Sequence, residues 1–228
     1  EVYDPQTDGW QPLAKMTTGR YTLALAAVGG KIYAIGGRAD DSSALGSVEA
    51  YDPQLGSWAL VASMSLKRSY CASAVLGGKI FVMGGFDEFD VDDDDDDDAV
   101  EAYDTVEAYD PQADSWQQVA SMPQALTAHA ATAMGGKIYV TGGNNGGDPM
   151  ESVYVYDPQV DAWTELASMS ITRQHHASIA VGGKLYVFGG HDPDGHLSTA
   201  EVYDPASDRW ALSLDLTSRR HSFGAVAL

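Results

Sequence analysis

Residues 137–163, KIYVTGGNNGGDPMESVYVYDPQVDAW, decide the fold. KIYVT is apolar on both faces, as a strand must be when neighbouring sheets cover both its sides. A glycine doublet, Gly142-Gly143, ends it. A second strand follows and closes on Asp157-Pro158, where proline presets φ for a turn. Trp163, seven residues after Tyr156, opens a further strand with a ring large enough to fill the gap between sheets.

The same marks recur along the whole chain. YDP stands at Tyr3, Tyr51, Tyr109, Tyr156 and Tyr203, and each tyrosine is followed seven residues later by a tryptophan: Trp10, Trp58, Trp116, Trp163 and Trp210. KIYAIGG, KIFVMGG, KIYVTGG and KLYVFGG end at Gly37, Gly85, Gly143 and Gly190. The tyrosines are 48, 58, 47 and 47 residues apart, so an internal repeat organises the chain. Ahead of each Gly-Gly strand lies a run of small residues: LALAAV, CASAVL, HAATAM, HASIAV and, last, FGAVAL. Small side chains suit inner strands that converge on a crowded axis. A four-stranded unit of roughly 47 residues, repeated radially, is a propeller blade.

The pattern predicts an all-β propeller with blades at 19–66, 67–124, 125–171 and 172–218, and an incomplete one made of 1–18 plus 219–228. Five blades are visible and one strand is missing: the Gly-Gly strand occurs four times, the other three strands five times. The sequence opens inside a third strand at Glu1, and the expected closure pairs HSFGAVAL with EVYDP…W. About 19 residues of that blade are absent by analogy with the others, and a six-bladed ring would need one more repeat.

The glycine doublets, tyrosines and tryptophans at this spacing resemble the kelch repeat family. The resemblance covers nearly the whole chain. It implies blades around a central channel. It also implies a function, since family members often serve as protein-binding modules, among them ubiquitin-ligase receptors and actin-associated scaffolds, while some kelch-like propellers are enzymes. Fold alone does not choose between these.

Charge and composition narrow the choice. The chain of 228 residues carries a formal charge of −20, half of it in residues 87–98, which hold ten acids and no base. Phosphate backbones repel such a protein, so a nucleic-acid partner is excluded. No apolar run approaches the roughly 18 residues that span a bilayer. The single cysteine, Cys71, rules out an internal disulfide and favours a reducing, cytoplasmic setting.

The resemblance puts two loop sets on one face: those joining the fourth strand to the next first strand, and those joining the second to the third. They carry Arg20, Arg38, Lys67, Arg68, Arg173, Arg219 and Arg220. Lys31, Lys79, Lys137 and Lys184 fall on the opposite face. Aligned blade by blade, the mouth of the ring reads Arg20, Arg68, Leu126, Arg173 and Arg220, with Tyr21, Tyr70, His129, His175 and His221 beside them. Arginine with tyrosine is a common hot-spot composition, and in some kelch receptors arginines at matching positions hold acidic peptides. The expected partner is another protein, engaged through an acidic segment, and the chain is compatible with a subunit of a larger assembly. The competing reading pairs each arginine with a neighbouring aspartate or backbone carbonyl.

The 58-residue step contains a tandem duplication, VEAYDT-VEAYDP at 100–111, and the run Asp92–Asp98. Consecutive aspartates repel one another, so 87–105 is expected to be a solvated, disordered loop on the arginine face, one that could fold over the arginines. It lacks the spaced ligands of a calcium loop. His175-His176, His191 and His196 suggest a metal, but the sequence supplies no third ligand, so none is expected. The doublets lack phosphate-loop spacing, and no nucleophile elbow is present. The reading is a non-catalytic binding or scaffold module without cofactor. The alternative is a kelch-type enzyme acting on a sugar or small metabolite in the channel, which a paired acid and base there would mark.

Overall fold

The structure, a computed structural model, describes residues 1–87 and 101–226. A two-stranded hairpin, β1 (Val2–Asp4) and β2 (Gly9–Gln11), opens the chain. Four antiparallel sheets follow, each of four strands in sequence order. The first contains β3 (Ala24–Val28), β4 (Lys31–Ile35), β5 (Val48–Asp52) and β6 (Ser57–Val61). The second contains β7 (Ala72–Leu76), β8 (Lys79–Met83), β9 (Val106–Asp110) and β10 (Ser115–Val119). The third is built of β11 (Ala130–Met134), β12 (Lys137–Thr141), β13 (Val153–Asp157) and β14 (Ala162–Glu165). In the fourth, β15 (Ala177–Val181) and β16 (Lys184–Phe188) are followed by a small hairpin, β17 (His191–Asp192) with β18 (Gly195–His196), before β19 (Ala200–Asp204) and β20 (Arg209–Leu212) complete the sheet.

The two glycine doublets of a blade do different work. Gly77-Gly78, between β7 and β8, has φ of 59° and 76° with open space where a Cβ would sit, so backbone hand alone demands glycine in this two-residue turn. At Gly84 a Cβ would lie 2.2 Å from the Leu126 carbonyl oxygen, and at Gly85 2.5 Å from that of Ser69. The second doublet is therefore a site of close backbone approach, Gly84 to the next blade and Gly85 to the first-strand entry of its own.

The tyrosine–tryptophan spacing is an inter-blade clamp. Tyr109 donates its hydroxyl to Asp114 Oδ1 at 2.7 Å, and the same oxygen accepts the Ala62 amide of the preceding blade at 2.8 Å. Trp116 Nε1 donates to the Ala62 carbonyl at 2.8 Å. Both polar groups of one alanine are thus held from the next sheet. Tyr156, Asp161 and Trp163 clamp Ala120 in the same way, and Tyr203, Asp208 and Trp210 clamp Ala167. Gly56 replaces the aspartate in the first blade, where Trp58 still donates to the Ala14 carbonyl. Between the sheets lie apolar cores such as Phe81, Met83, Ile138, Val140 and Tyr156.

Two expectations differ at their edges. Among the described residues the two pieces of the incomplete blade do not pair: β1–β2 is a sheet by itself, 223–226 enters no strand, and Trp10 is 66% exposed. With no Gly-Gly strand between them, the two pieces have nothing to pair through. Of the acidic loop, residues 88–100 lie outside the described residues, Asp92–Asp98 among them; Asp87 and residues 101–105 are described. Tyr103 donates its amide to the Gly85 carbonyl at 2.8 Å, as Leu45, Met150 and Leu197 do in their blades. The end of VEAYDT therefore forms a loop rung, and the second copy is strand β9.

Candidate functional site

The mouth of the channel is ringed by five residues held in the left-handed region. Thr22, Tyr70, Ala128, His175 and Ser222 have φ between 51° and 54°. Each lies two residues after the aligned arginine position, at the entry to a first strand. Four of the five amides donate to the carbonyl of the counterpart in the blade before: Tyr70 to Thr22 at 3.1 Å, Ala128 to Tyr70 at 3.0 Å, and His175 to Ala128 and Ser222 to His175 at 2.8 Å. Non-glycine residues hold this conformation only where the surroundings over-determine it, and here the inter-blade bonds do so. One residue further on, Leu23, Cys71, His129, His176 and Phe223 form a lower tier. The two tiers enclose a cavity of about 510 Å³. Below it the channel is lined by small residues such as Ala26, Ser73, Thr132 and Ala180.

Burial controls the chemistry of the lower tier. It pushes the Cys71 thiol up to about 11, so the thiol stays protonated. It pushes His129 and His176 down to about 3, with Arg68 and Arg173 adding to the effect, so both imidazoles are neutral. His176 Nε2 meets Thr141 Oγ1 at 2.8 Å, while among the described residues neither ring nitrogen of His129 has a hydrogen-bond partner. Among the described residues, no carboxylate lines either the cavity or the channel section below it.

The expected ring of open arginines is corrected by the structure. The side chains of Arg20, Arg68 and Arg173 are 0% exposed and pair with Glu49, Glu107 and Glu201 at 2.8, 3.1 and 2.9 Å. Arg173 Nη1 also donates to the carbonyls of Gly189 and Thr199, and its Nη2 to Thr199 Oγ1. Arg68 repeats this set with Gly84 and Thr105, Arg20 with Gly36 and Ser47. The other glutamate oxygen takes loop amides, those of Thr17, Ser65 and Ser170. Guanidinium and carboxylate together staple the upper loops of these three blades, and burial keeps the guanidinium groups from a docked partner. In the third blade, where Leu126 replaces arginine, Tyr154 replaces glutamate and donates to Gln124 Oε1. That paired change was present in the sequence: glutamate stands two residues before Tyr51, Tyr109 and Tyr203, and tyrosine before Tyr156.

The other predicted residues divide by register. His129, three residues past the aligned position, is buried against Gly84. Arg38 is 3% exposed; it donates to the carbonyls of Ser42 and Asp87 and lies over the Phe86 ring. Lys67 is half-exposed, 4.0 Å from Asp87. Tyr21, His221, Arg219 and Arg220 are exposed, and Tyr70 and His175 face the cavity. On the opposite face Lys31, Lys79, Lys137 and Lys184 pair with Asp52, Asp110, Asp157 and Asp204 at 3.0–3.3 Å.

An aromatic arc escaped the sequence reading. Phe86 stacks on Tyr70 at 5.7 Å, Tyr70 meets His175 at 5.4 Å, and His175 lies 6.5 Å from His221. His221 stacks on His196 at 4.4 Å, which faces its cross-strand partner His191 at 5.9 Å. The HDPDGH stretch had been legible only as a turn with two histidines.

Residues 23–226 match the KLHDC2/KLHL20/DRC7 Kelch-repeats domain. The chain belongs to the kelch-repeat family. A human relative, Kelch-like protein 33, is 32% identical over 144 residues, which are 63% of this chain and 16% of that protein. The kelch domain also shares its fold with the solved structure of YjhT, with a TM-score of 0.82 at 17% identity over 95% of this chain and 77% of that one.

Proposed function

We propose that this kelch propeller is a non-catalytic binding module that docks another protein chain on the channel mouth, around Tyr21, Tyr70 and His175. The observation that carries the reading is the left-handed ring. Four inter-blade backbone bonds hold side chains from five repeats around one cavity, so the mouth is pre-organised and little ordering entropy remains to be lost on docking. Tyr70 presents a ring stacked on Phe86, an aromatic anchor of the kind that dominates interfaces. Kelch repeats commonly mediate protein interactions, and the human relative shares them. For an acidic partner segment, the exposed cations at the mouth among the described residues are Lys67, Arg219 and Arg220.

Crosslinking mass spectrometry of the native complex tests this, with a photo-crosslinking residue placed at Tyr21 and, as control, at Gln159 in the turn after β13 on the opposite face. Partner adducts are expected from position 21 alone. Adducts confined to position 159 or to the blade rims would overturn the assignment.

A further inference from the structure

Asn144 and Asn145 are the only asparagines among the 228 residues, and Gly146-Gly147 follows them directly. They lie in the loop between β12 and β13. This loop belongs to the mouth: Asn144 exchanges both backbone hydrogen bonds with Thr127, the residue before Ala128 of the left-handed ring, at 2.8 Å each. Asn144 is half-buried, while Asn145 is exposed. Gly146 has φ of 99°, a conformation that glycine adopts freely.

An asparagine before a glycine carries its own reaction. The amide nitrogen of the next residue can close a five-membered ring onto the side-chain carboxamide carbon, and glycine has no Cβ to obstruct the approach. Two hydrogen bonds of this loop act on that reaction in opposite directions. The Gly147 amide donates to Asn145 Oδ1 at 3.2 Å, which polarises the carbonyl under attack. The Gly146 amide, whose nitrogen is the nucleophile, donates to Asn144 Oδ1 at 2.7 Å. Asn144 is itself fixed, since its Nδ2 donates to the Gly147 carbonyl at 2.7 Å. The bond from Gly146 to Asn144 must open before that nitrogen can lose its proton and turn to Asn145.

We propose that Asn145 is a site of spontaneous deamidation and that Asn144 sets its pace by holding the Gly146 amide. The inference is independent of the docking reading. Base removes the Gly146 amide proton, the nitrogen bonds to the Asn145 side-chain carbon, and the bond from that carbon to Nδ2 breaks. Ammonia leaves, taking its proton from water. Water then opens the cyclic imide. Opening at the side-chain carbonyl gives aspartate; opening at the main-chain carbonyl gives isoaspartate, in which the chain runs through the β-carbon. Either product places a new carboxylate near Asp148, on a stretch that is uncharged from 142 to 147. The mouth thereby gains negative charge, and isoaspartate also lengthens the backbone between Asn144 and Gly146. Because the nucleophile is the deprotonated amide, the rate rises with pH.

The full chain is incubated at pH 6.0 and pH 8.5, folded and in urea, then resolved by ion exchange and mapped by peptide mass spectrometry. A more acidic species should accumulate, faster at pH 8.5, with aspartate and isoaspartate at position 145. Asp8-Gly9 and Asp194-Gly195 can close the same ring but without a change of charge, so the acidic species reports amide loss and the map assigns it. Asn145→Gln should abolish that species. Folded Asn144→Ala, its fold verified by circular dichroism, should convert about three- to tenfold faster than the folded parent, the factor that one hydrogen bond supplies. In urea, where the loop is released, the two should convert at the same rate. No acidic species from the folded parent, conversion mapped away from position 145, or its persistence in Asn145→Gln overturns the site. Equal rates for folded parent and folded Asn144→Ala, or a difference that survives in urea, overturns the role of Asn144.

Discussion

Replacing Arg173 by leucine would strand the Glu201 carboxylate, which is 1% exposed, without its guanidinium. Removing one partner of a buried pair typically costs about 3–5 kcal/mol, because the remaining charge is uncompensated. Two carbonyls, of Gly189 and Thr199, lose Nη1 as well. At roughly 2–4 °C per kcal/mol for a chain of this size, the midpoint should fall by about 6–20 °C. The third blade supplies the control, since Leu126 and Tyr154 occupy the same two positions without charge. Arg173→Leu combined with Glu201→Tyr copies that arrangement and should recover most of the loss, to within about 1–2 kcal/mol of the parent. Thermal and urea unfolding followed by circular dichroism measure all three. If the single variant costs under about 1 kcal/mol, or the double costs the sum of both singles, the staple is not a coupled unit and the reasoning fails.

Gly84→Ala should cost more than about 3 kcal/mol or prevent folding, whereas Gly77→Ala should cost about 1 kcal/mol, since only the former meets backbone atoms; urea midpoints separate the two. Ala128→Gly should stabilise by up to about 1 kcal/mol by relieving a left-handed φ, while Ala131→Gly inside β11 should destabilise by about 0.5–1 kcal/mol; a reversed order would mean the left-handed ring is unstrained. Stability should decline as pH falls through the carboxylate range, because Asp114 and Asp161 are held below the usual value, first by the Ala62 and Ala120 amides and then by tyrosine hydroxyls. A group depressed in the fold contributes above its unfolded value and loses that contribution below its folded one. Asp161→Asn should flatten this slope in unfolding midpoints measured between pH 5 and pH 2.5.

The blade pattern was legible because it is local. A doublet needing two positive φ values and a tyrosine seven residues before a tryptophan act through one turn and its neighbour, so they repeat in the chain as they do in space. The mouth is different. Tyr21, Tyr70 and His129 looked equivalent beside the arginines, but they sit one, two and three residues past the aligned position. A left-handed residue there turns the chain, so Tyr21 is left exposed, Tyr70 forms the upper tier of the cavity and His129 is buried in the lower one. Arg20, Arg68 and Arg173 looked like a binding ring because loops and arginines suggest a surface. Their glutamates lie 28 to 39 residues away on the third strand, and only sheet pairing brings them within 3.1 Å.

By itself, then, the amino-acid order determined the repeat, its four strands, the tyrosine and tryptophan marks and the family, since each is carried by short-range spacing. The tertiary structure decided which cations remain open at the mouth and which histidines meet there. Those outcomes depend on distant acceptors and on packing between blades, which no local spacing records.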